Sequence, residues 1–376
     1  MRAKSLTFLK QLVDAPSPSG CESPAAKVYI EYVSEFADQV STDVSGNVFA
    51  VLNPKAQIKI MLAGHMDEIA FIIHYIDESG LLFFGTIGGH DSVIPVGQRV
   101  WVHGRERLTG VVGRKAIHLL DPAELKKKPD FTDLWIDIGA TSRADAEAVV
   151  QLGDVVTFQY GFQPLLGDLA TARAFDNKAG VFIVGEAIRL LKQQGGLRED
   201  VGVYGVATVQ EEIGSRGAKT AAFALGAQTG LAVDMGHARD IPGISLRQHG
   251  QLDVGKGPGV SRGANTNPAV FALITAAARE ENIPYQITVT PGTSPTDAQA
   301  LQINKSGMAT GLLEIPLRYM HTPCEVLSLV DVENSARLMA AYCRMIMPDT
   351  SFVPGYEVRQ SDQYPRSRNE LGMFGF

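Results

Sequence analysis

Cysteine is scarce in this chain, with Cys21, Cys324 and Cys343 the only three among 376 residues. Three cannot all pair, and their spacing fits no thiolate metal motif, so a reducing, cytoplasmic setting is expected. Long apolar runs are missing too. None approaches the roughly 18–20 residues that a membrane span requires. Met1 to Asp14 lacks the apolar centre of a secretory signal, so none is expected there. Positive charge is in deficit: 34 Lys and Arg stand against 41 Asp and Glu, a net charge of −7. That balance argues against nucleic acid or an anionic membrane surface as a partner. What remains is an ordinary globular composition, 45% hydrophobic and 20% charged. The length allows a large core and about two domains.

Hydrophobic spacing divides the chain into three stretches. Leu6, Leu9, Leu12 and Val13 recur at helical spacing before Pro16 and Pro18, and a second helix is expected over Glu22–Phe36. A hairpin around Ser45-Gly46-Asn47 follows, then the continuous apolar run Ile58–Ala63 of a strand buried on both faces. From Ile69 to about Phe162 the pattern becomes short β-rich runs punctuated by Gly and Pro, with one helix near Arg143–Gln151. Lys126-Lys127-Lys128 reads as a solvated loop. From Leu169 strand and helix alternate again, with helices expected over Lys178–Gln194, Gly217–Leu225, Asn265–Glu281, Asp297–Ile303 and Val330–Ile346. Strands are expected over Val201–Val209, Leu231–Val233, Tyr285–Val289 and Thr310–Ile315. This predicts an α/β fold with a largely parallel sheet covered on both faces. One α/β domain is built from residues 1–68 and 166–347, with a small β module inserted over 69–165. The polar tail, 348–376, reads as an arm or a disordered segment.

The stretch Val209-Gln210-Glu211-Glu212-Ile213-Gly214 sets two adjacent carboxylates at the end of a very apolar run. Uncompensated charge beside a core is unfavourable by several kcal/mol in order of magnitude, and Arg216 is the only basic residue close by in sequence. A metal cation is the first candidate to neutralise them. Ligands in open α/β sheets gather at the carboxyl ends of strands. Other metal-capable residues are expected at such ends: His65 and Asp67, Asp176, Asp234, and His321 after a short loop. Taken singly each has a plainer reading, as a structural histidine, a helix N-cap at Asp176 or a turn cap at Asp234. Their coincidence favours a metal site. Asp67 could ligate directly or accept the His65 N–H and fix its tautomer; the second role is preferred, because enough carboxylates lie elsewhere. A donor set of imidazole and carboxylate without thiolate suits zinc, cobalt or manganese. Five ligands exceed the needs of one tetrahedral ion, whereas two ions about 3.5–4 Å apart sharing a carboxylate would use them all.

The motifs AGHMDEIAF at 63–71, ARAFDNKAG at 172–180, VQEEIGSRGA at 209–218, LAVDMGHA at 231–238 and LRYMHTPCEVLSLVDVE at 317–333 together resemble a known family. It is that of the cytoplasmic dinuclear metallo-aminopeptidases: the tetrahedral, deblocking and glutamyl aminopeptidases, some of which carry a cellulase label. The similarity spans about residues 5–347. It implies a zinc-peptidase-like α/β/α sandwich with an inserted small β-barrel that serves oligomerisation or substrate access. It further implies His65, Asp176 and Asp234 around one metal, and Asp176, Glu212 and His321 around the other. Glu211 would be the general base and Asp67 would orient His65. Met235-Gly236, Thr322 and Cys324 depart mildly from the family pattern, and the tail after Met347 is longer than usual.

The implied activity is removal of N-terminal residues from short peptides, with two divalent ions activating a shared water whose proton Glu211 takes. Hydrolysis of another small amide on the same site is the alternative. A glycosidase, which needs two free carboxylates, and an inactive scaffold rank lower. The resemblance also implies a homo-oligomer, up to a tetrahedral dodecamer. Substrate-binding residues are not legible; Arg247, Arg262 and Arg318 are the charged candidates.

Overall fold

In the computed structural model, which describes residues 1–355, the N-terminal periodicity becomes α1 (Ala3–Asp14) and α2 (Ser23–Val33). Helix α1 buries Phe8, Leu9, Leu12 and Val13 and stops ahead of Pro16, which has no N–H to continue it. Strands β1 (Gln39–Thr42) and β2 (Val48–Leu52) form the expected hairpin. Its turn is tied by the Asp43 carboxylate, which accepts the Ser45 and Asn47 N–H groups, and Gly46 supplies the positive φ of 100°. Strand β3 (Ile58–His65) shows why its sequence is continuously apolar. Ile60 and Leu62 join the large core on one face of the sheet, and Met61 and Ala63 join a smaller core on the other.

Next come β4 (Ala70–Ile76), β5 (Leu82–Ile87), β6 (Arg99–His103), β7 (Arg107–Arg114), β8 (Leu134–Asp137), α3 (Arg143–Glu147) and β9 (Val155–Phe158). The six strands close into a barrel in the order β4-β5-β8-β7-β6-β9. Phe71, Phe84, Val100, Val112, Ile136 and Val156 fill its interior as a core separate from that of the sheet. In the triple-lysine run, Lys126 and Lys128 flank Lys127 on the barrel exterior, where Lys128 pairs with Asp91.

The remaining elements are β10 (Gln163–Pro164), β11 (Leu169–Ala172), α4 (Phe175–Gln194), β12 (Val201–Thr208), α5 (Arg216–Leu225), β13 (Thr229–His237) and α6 (Leu246–His249). They are followed by β14 (Gly259–Gly263), α7 (Pro268–Glu280), β15 (Gln286–Thr290), α8 (Asp297–Gln302), β16 (Ala309–Leu317), β17 (Glu325–Ser328) and α9 (Leu329–Met345). The main sheet has eight strands in the order β1-β2-β12-β3-β13-β16-β14-β15. Its centre, β12-β3-β13-β16, is parallel, and the antiparallel pairings lie at β1-β2, β2-β12 and β16-β14. Helix α4 lies under the middle of the sheet, in contact with β3, β12 and β13 and with α1, α2 and α9, while α5 and α8 pack together. Ala218, Ala221 and Ala222 of α5 and Ala300 and Leu301 of α8 share the core of Met61 and Ala63, so helices cover both faces. The fold is a mixed α/β sandwich carrying a closed six-stranded barrel. No described helix is long and apolar enough to cross a membrane.

Two local expectations are corrected. The strand at whose carboxyl end Asp176 is expected stops at Ala172 and belongs to a separate three-stranded sheet, β10-β11-β17. Helix α4 is entered at Phe175 through the non-helical Asp176 and Asn177, with its continuous run beginning at the expected Lys178, so Asp176 stands on a helix start and not at a strand end of the main sheet. Most of the expected C-terminal arm, residues 356–376, lies outside the described residues.

Candidate metal centre

Parallel pairing does the first work of assembly. Strand β12 runs beside β3 with Thr208 opposite His65, and β13 flanks β3 on its other side. The turn after β12 therefore carries Glu211 and Glu212 to the mouth where β3 ends, and Asp234 projects from β13 near its end. Helix α4 enters the same mouth from below. Its start is irregular: Asp176 has φ −76° and ψ 106°, and the Asp176–Asn177 peptide is cis. Asn177 ties this bend down by donating from Nδ2 to the Val233 carbonyl and accepting the Gly180 N–H. His321, four residues past β16, has a φ of 61°.

Two groups of donors result. In each of the sets His65-Asp176-Asp234 and Asp176-Glu212-His321, one ligand-type atom per residue lies within 4.8 Å of the others. His65 Nε2 is 3.5 Å from Asp176 Oδ1, 3.6 Å from Asp234 Oδ1 and 3.8 Å from Glu211 Oε2. His321 Nε2 is 3.4 Å from Asp176 Oδ2 and 3.6 Å from Glu212 Oε2. Asp176 thus turns one oxygen to each imidazole. Glu211 belongs to neither set, and its other oxygen, Oε1, accepts the Ser215 hydroxyl at 3.1 Å.

The supporting contacts refine the role expected of Asp67. His65 Nδ1 is 3.2 Å from the Asp67 backbone carbonyl and 3.4 Å from its Oδ1, so the main chain shares in holding the ring. The Asp67 carboxylate accepts the N–H groups of Glu211 at 2.9 Å and Glu212 at 3.1 Å and the Ser19 hydroxyl at 2.7 Å. It therefore pins the turn carrying the acidic pair, which the His-x-Asp spacing did not reveal. The other imidazole abuts the barrel side, where a Cβ on Gly89 would stand 3.5 Å from His321 Nδ1. Space there is tight: a Cβ on Gly88 would stand 2.7 Å from Ile69 Cγ2 and 3.3 Å from Glu212 Cβ.

Charge balance tests whether this pocket fits cations. The ion pairs made by Asp176, Glu211, Glu212 and Asp234 among the described residues all run to His65 or His321. Arg173 and Lys178, buried nearby, are taken by Glu68. Burial pushes the Glu211 carboxyl up to about 8, with Asp234, Asp297 and Asp176 adding repulsion against the opposing pull of His65. Burial also raises Glu212 and Asp234. Asp297 is fully buried and pushed up to about 7 by that burial; Thr208 binds its Oδ2, and its Oδ1 has no hydrogen-bond partner. Burial favours a neutral His65, yet Asp176, Asp234 and Asp67 outweigh it and hold the ring's pKa well above the ordinary range. Two imidazoles cannot neutralise this many carboxylates. Divalent cations would let all of them ionise, and the donor types are those that hold such ions. The residues fit a metal pair.

Beside the donors lies a cleft of about 440 Å³ lined by Glu211, Glu212, His321 and Gly89 on one side and by Thr296, Gln299, Ala300 and Ile303 on the other. Its basic lining residue is Lys219. The three arginines expected as candidates stand elsewhere. Arg318 pairs with Asp240, Arg262 lies over the Phe271 ring, and Arg247 is exposed on α6. Sequence reasoning missed Lys219, since a single lysine on a helix gives no signal. It also assigned no part to Glu325 or Asp297, whose contacts in the site become visible only in the fold.

Residues 46–338 match the family described as M42 glutamyl aminopeptidase. A lysyl aminopeptidase of Pyrococcus furiosus is 33% identical over 91% of this chain and 97% of its own. The structure of a TET aminopeptidase from a marine sediment archaeon of the Thaumarchaeota superimposes with a TM-score of 0.86 at 36% identity, covering 91% of this chain and 96% of that one. A TET1 peptidase of Pyrococcus horikoshii, described as assembling into a tetrahedron or a large octahedral shell, gives 0.80 at 30% identity over 90% and 99%. With the fold, the donor sets and a family match over most of its length in agreement, the chain belongs to the M42 glutamyl aminopeptidase family.

Proposed function

We propose that the chain is an aminopeptidase dependent on two divalent metal ions, zinc or cobalt with manganese as a further candidate, acting on short peptides. The observation that carries this reading is Asp176. Its two oxygens face two separate imidazoles, each with a further carboxylate beside it, while Glu211 reaches His65 from outside both sets. His65, Asp176 and Asp234 would hold one ion, and Asp176, Glu212 and His321 the other. When bound, such a pair lowers the pKa of a water and polarises the substrate carbonyl. Glu211 then accepts the water's proton at Oε2, the oxygen turned to the donors, and returns it to the departing amine, with Ser215 steadying Oε1. Asp67 keeps Glu211 in place through its backbone N–H. The adjoining cleft, at about 440 Å³, has room for a residue side chain next to the scissile bond.

The test is metal removal. Chelator-treated protein should contain neither ion and hydrolyse no aminoacyl chromogenic substrate, and it should regain activity at two equivalents of zinc or cobalt. Full activity in metal-free protein would refute the reading.

A reducing cytoplasmic setting and a homo-oligomeric state, up to a dodecamer, belong to the same proposal. The inserted unit, residues 69–165, would contribute contacts between copies or control access, and residues 1–68 and 166–347 would form the catalytic unit. Light scattering should give a multiple of the 40.4 kDa chain mass, and a monomer would contradict the assembly.

A further inference from the structure

Glu325 opens β17 with 2% of its surface exposed, and no ion pair of it occurs among the described residues. Desolvation disfavours its charge, and the Asp176 and Glu68 carboxylates repel it. A buried carboxyl without a cation needs other partners to be tolerated. Glu325 has two, both backbone N–H groups. Oε2 accepts from Asp176 at 3.1 Å, and Oε1 accepts from His321 at 3.0 Å. These residues lie far apart in sequence, and neither backbone is held by a regular ladder at that point. The Asp176 N–H is one of the donors that a helix start leaves without an internal partner. His321 sits in the left-handed region on a loop. Glu325 itself stands on a rigid support, because β17 pairs with β11 and places it opposite Ala172.

We propose that Glu325 is a positioning residue: by gripping the backbones of Asp176 and His321 with one oxygen each, it fixes their separation. In doing so it sets the divalent-cation affinity of the group Asp176-Glu212-His321. The inference rests on the two-cation reading above. It bears on the two groups unequally: Asp176 is common to both, whereas His321 belongs to one, and neither His65 nor Asp234 donates to Glu325.

Glu325→Gln tests it with little change of shape. The amide keeps one acceptor oxygen and turns an NH2 group towards the other N–H, so one of the two grips is lost. Metal-free wild-type and variant protein would be titrated calorimetrically with cobalt, and the metal-free melting temperature recorded for each. The wild type should show two binding events. In the variant one event should weaken about 10–100-fold, as removal of a partner that orients a ligand does. The other event, which shares Asp176 but not His321, should weaken less, and the metal-free melting temperature should stay close to wild type. Glu325→Asp, which keeps both oxygens on a shorter arm, should fall between the two. Unchanged events in Glu325→Gln would overturn the proposal. So would loss of both events with a lowered metal-free melting temperature, which would make Glu325 a folding residue only. A wild type that binds no divalent cation would instead remove the two-cation reading on which the proposal stands.

Discussion

Glu211 and Glu212 are neighbours in sequence with divergent surroundings. Glu212 faces His321 and Asp176, whereas Glu211 reaches His65 from outside both donor sets. Glu211→Gln should therefore keep both equivalents of metal and lose activity by about 10²–10⁴-fold, the usual weight of a positioned general acid–base group. Metal analysis beside initial rates checks this, and a Gln variant with wild-type turnover would remove Glu211 from its role. At this scale the sequence was informative wherever chemistry demands a residue type. His65, Asp176, Glu212, Asp234 and His321 are the five side chains expected as ligands, and all five meet in the fold. Glu325 was illegible for a physical reason. It touches main-chain N–H groups, and such a contact leaves no trace in the identity of its partners.

The site depends on how closely β3 and α4 approach. A Cβ built on Gly64 would stand 2.7 Å from the Gly180 carbonyl carbon and 2.9 Å from its oxygen, so strand and helix touch backbone to backbone. Gly64→Ala must push α4 away from β3, and with it Asp176 away from His65. Overpacking of this kind costs about 1–3 kcal/mol of stability. We expect a lowered melting temperature together with weakened metal binding, measured by thermal unfolding and metal titration; an alanine variant with wild-type values of both would show that the two elements separate freely. Long elements were legible because their periodicity is long: α1, α4, α9, β3 and β12 follow their hydrophobic runs. Short β15 and α8 were legible too, but two other short strands were not. Strand β14 is a five-residue segment with glycine at both ends, and β17 has four residues directly joined to α9. Asp176 was misplaced because its bend is held by Asn177 and Glu325, which act across the fold and not along the chain.

Across the whole molecule, the sheet and the barrel have separate cores, and acid should not affect them equally. His103 of β6 is half-buried, with Nε2 2.9 Å from Thr157 Oγ1. Burial, reinforced by the Arg173 charge, lowers its pKa to about 4 from an ordinary 6.5. The folded ring therefore stays neutral while the unfolded ring takes a proton. The stability it contributes is present above about 6.5 and is lost as pH falls towards about 4. Melting temperature should drop across that window, and His103→Gln should flatten the drop. A variant with an unaltered slope would assign the acid sensitivity to another group. A small barrel was expected from the change of hydrophobic period near Ile69 together with the family resemblance, but its strand order, β4-β5-β8-β7-β6-β9, was not legible, because pairing order is a long-range property.

The register that sets Thr208 beside His65 also orders events in time. At roughly 5–20 residues per second, a ribosome finishes β3 on the order of ten seconds before β12 emerges to lie beside it. During that interval a strand apolar on both faces has neither of its central neighbours. The last donor, His321, arrives later still, so no shortened chain ending before it can complete the centre. For a nascent copy, the donor group Asp176-Glu212-His321 is therefore complete only after residue 321 has been made.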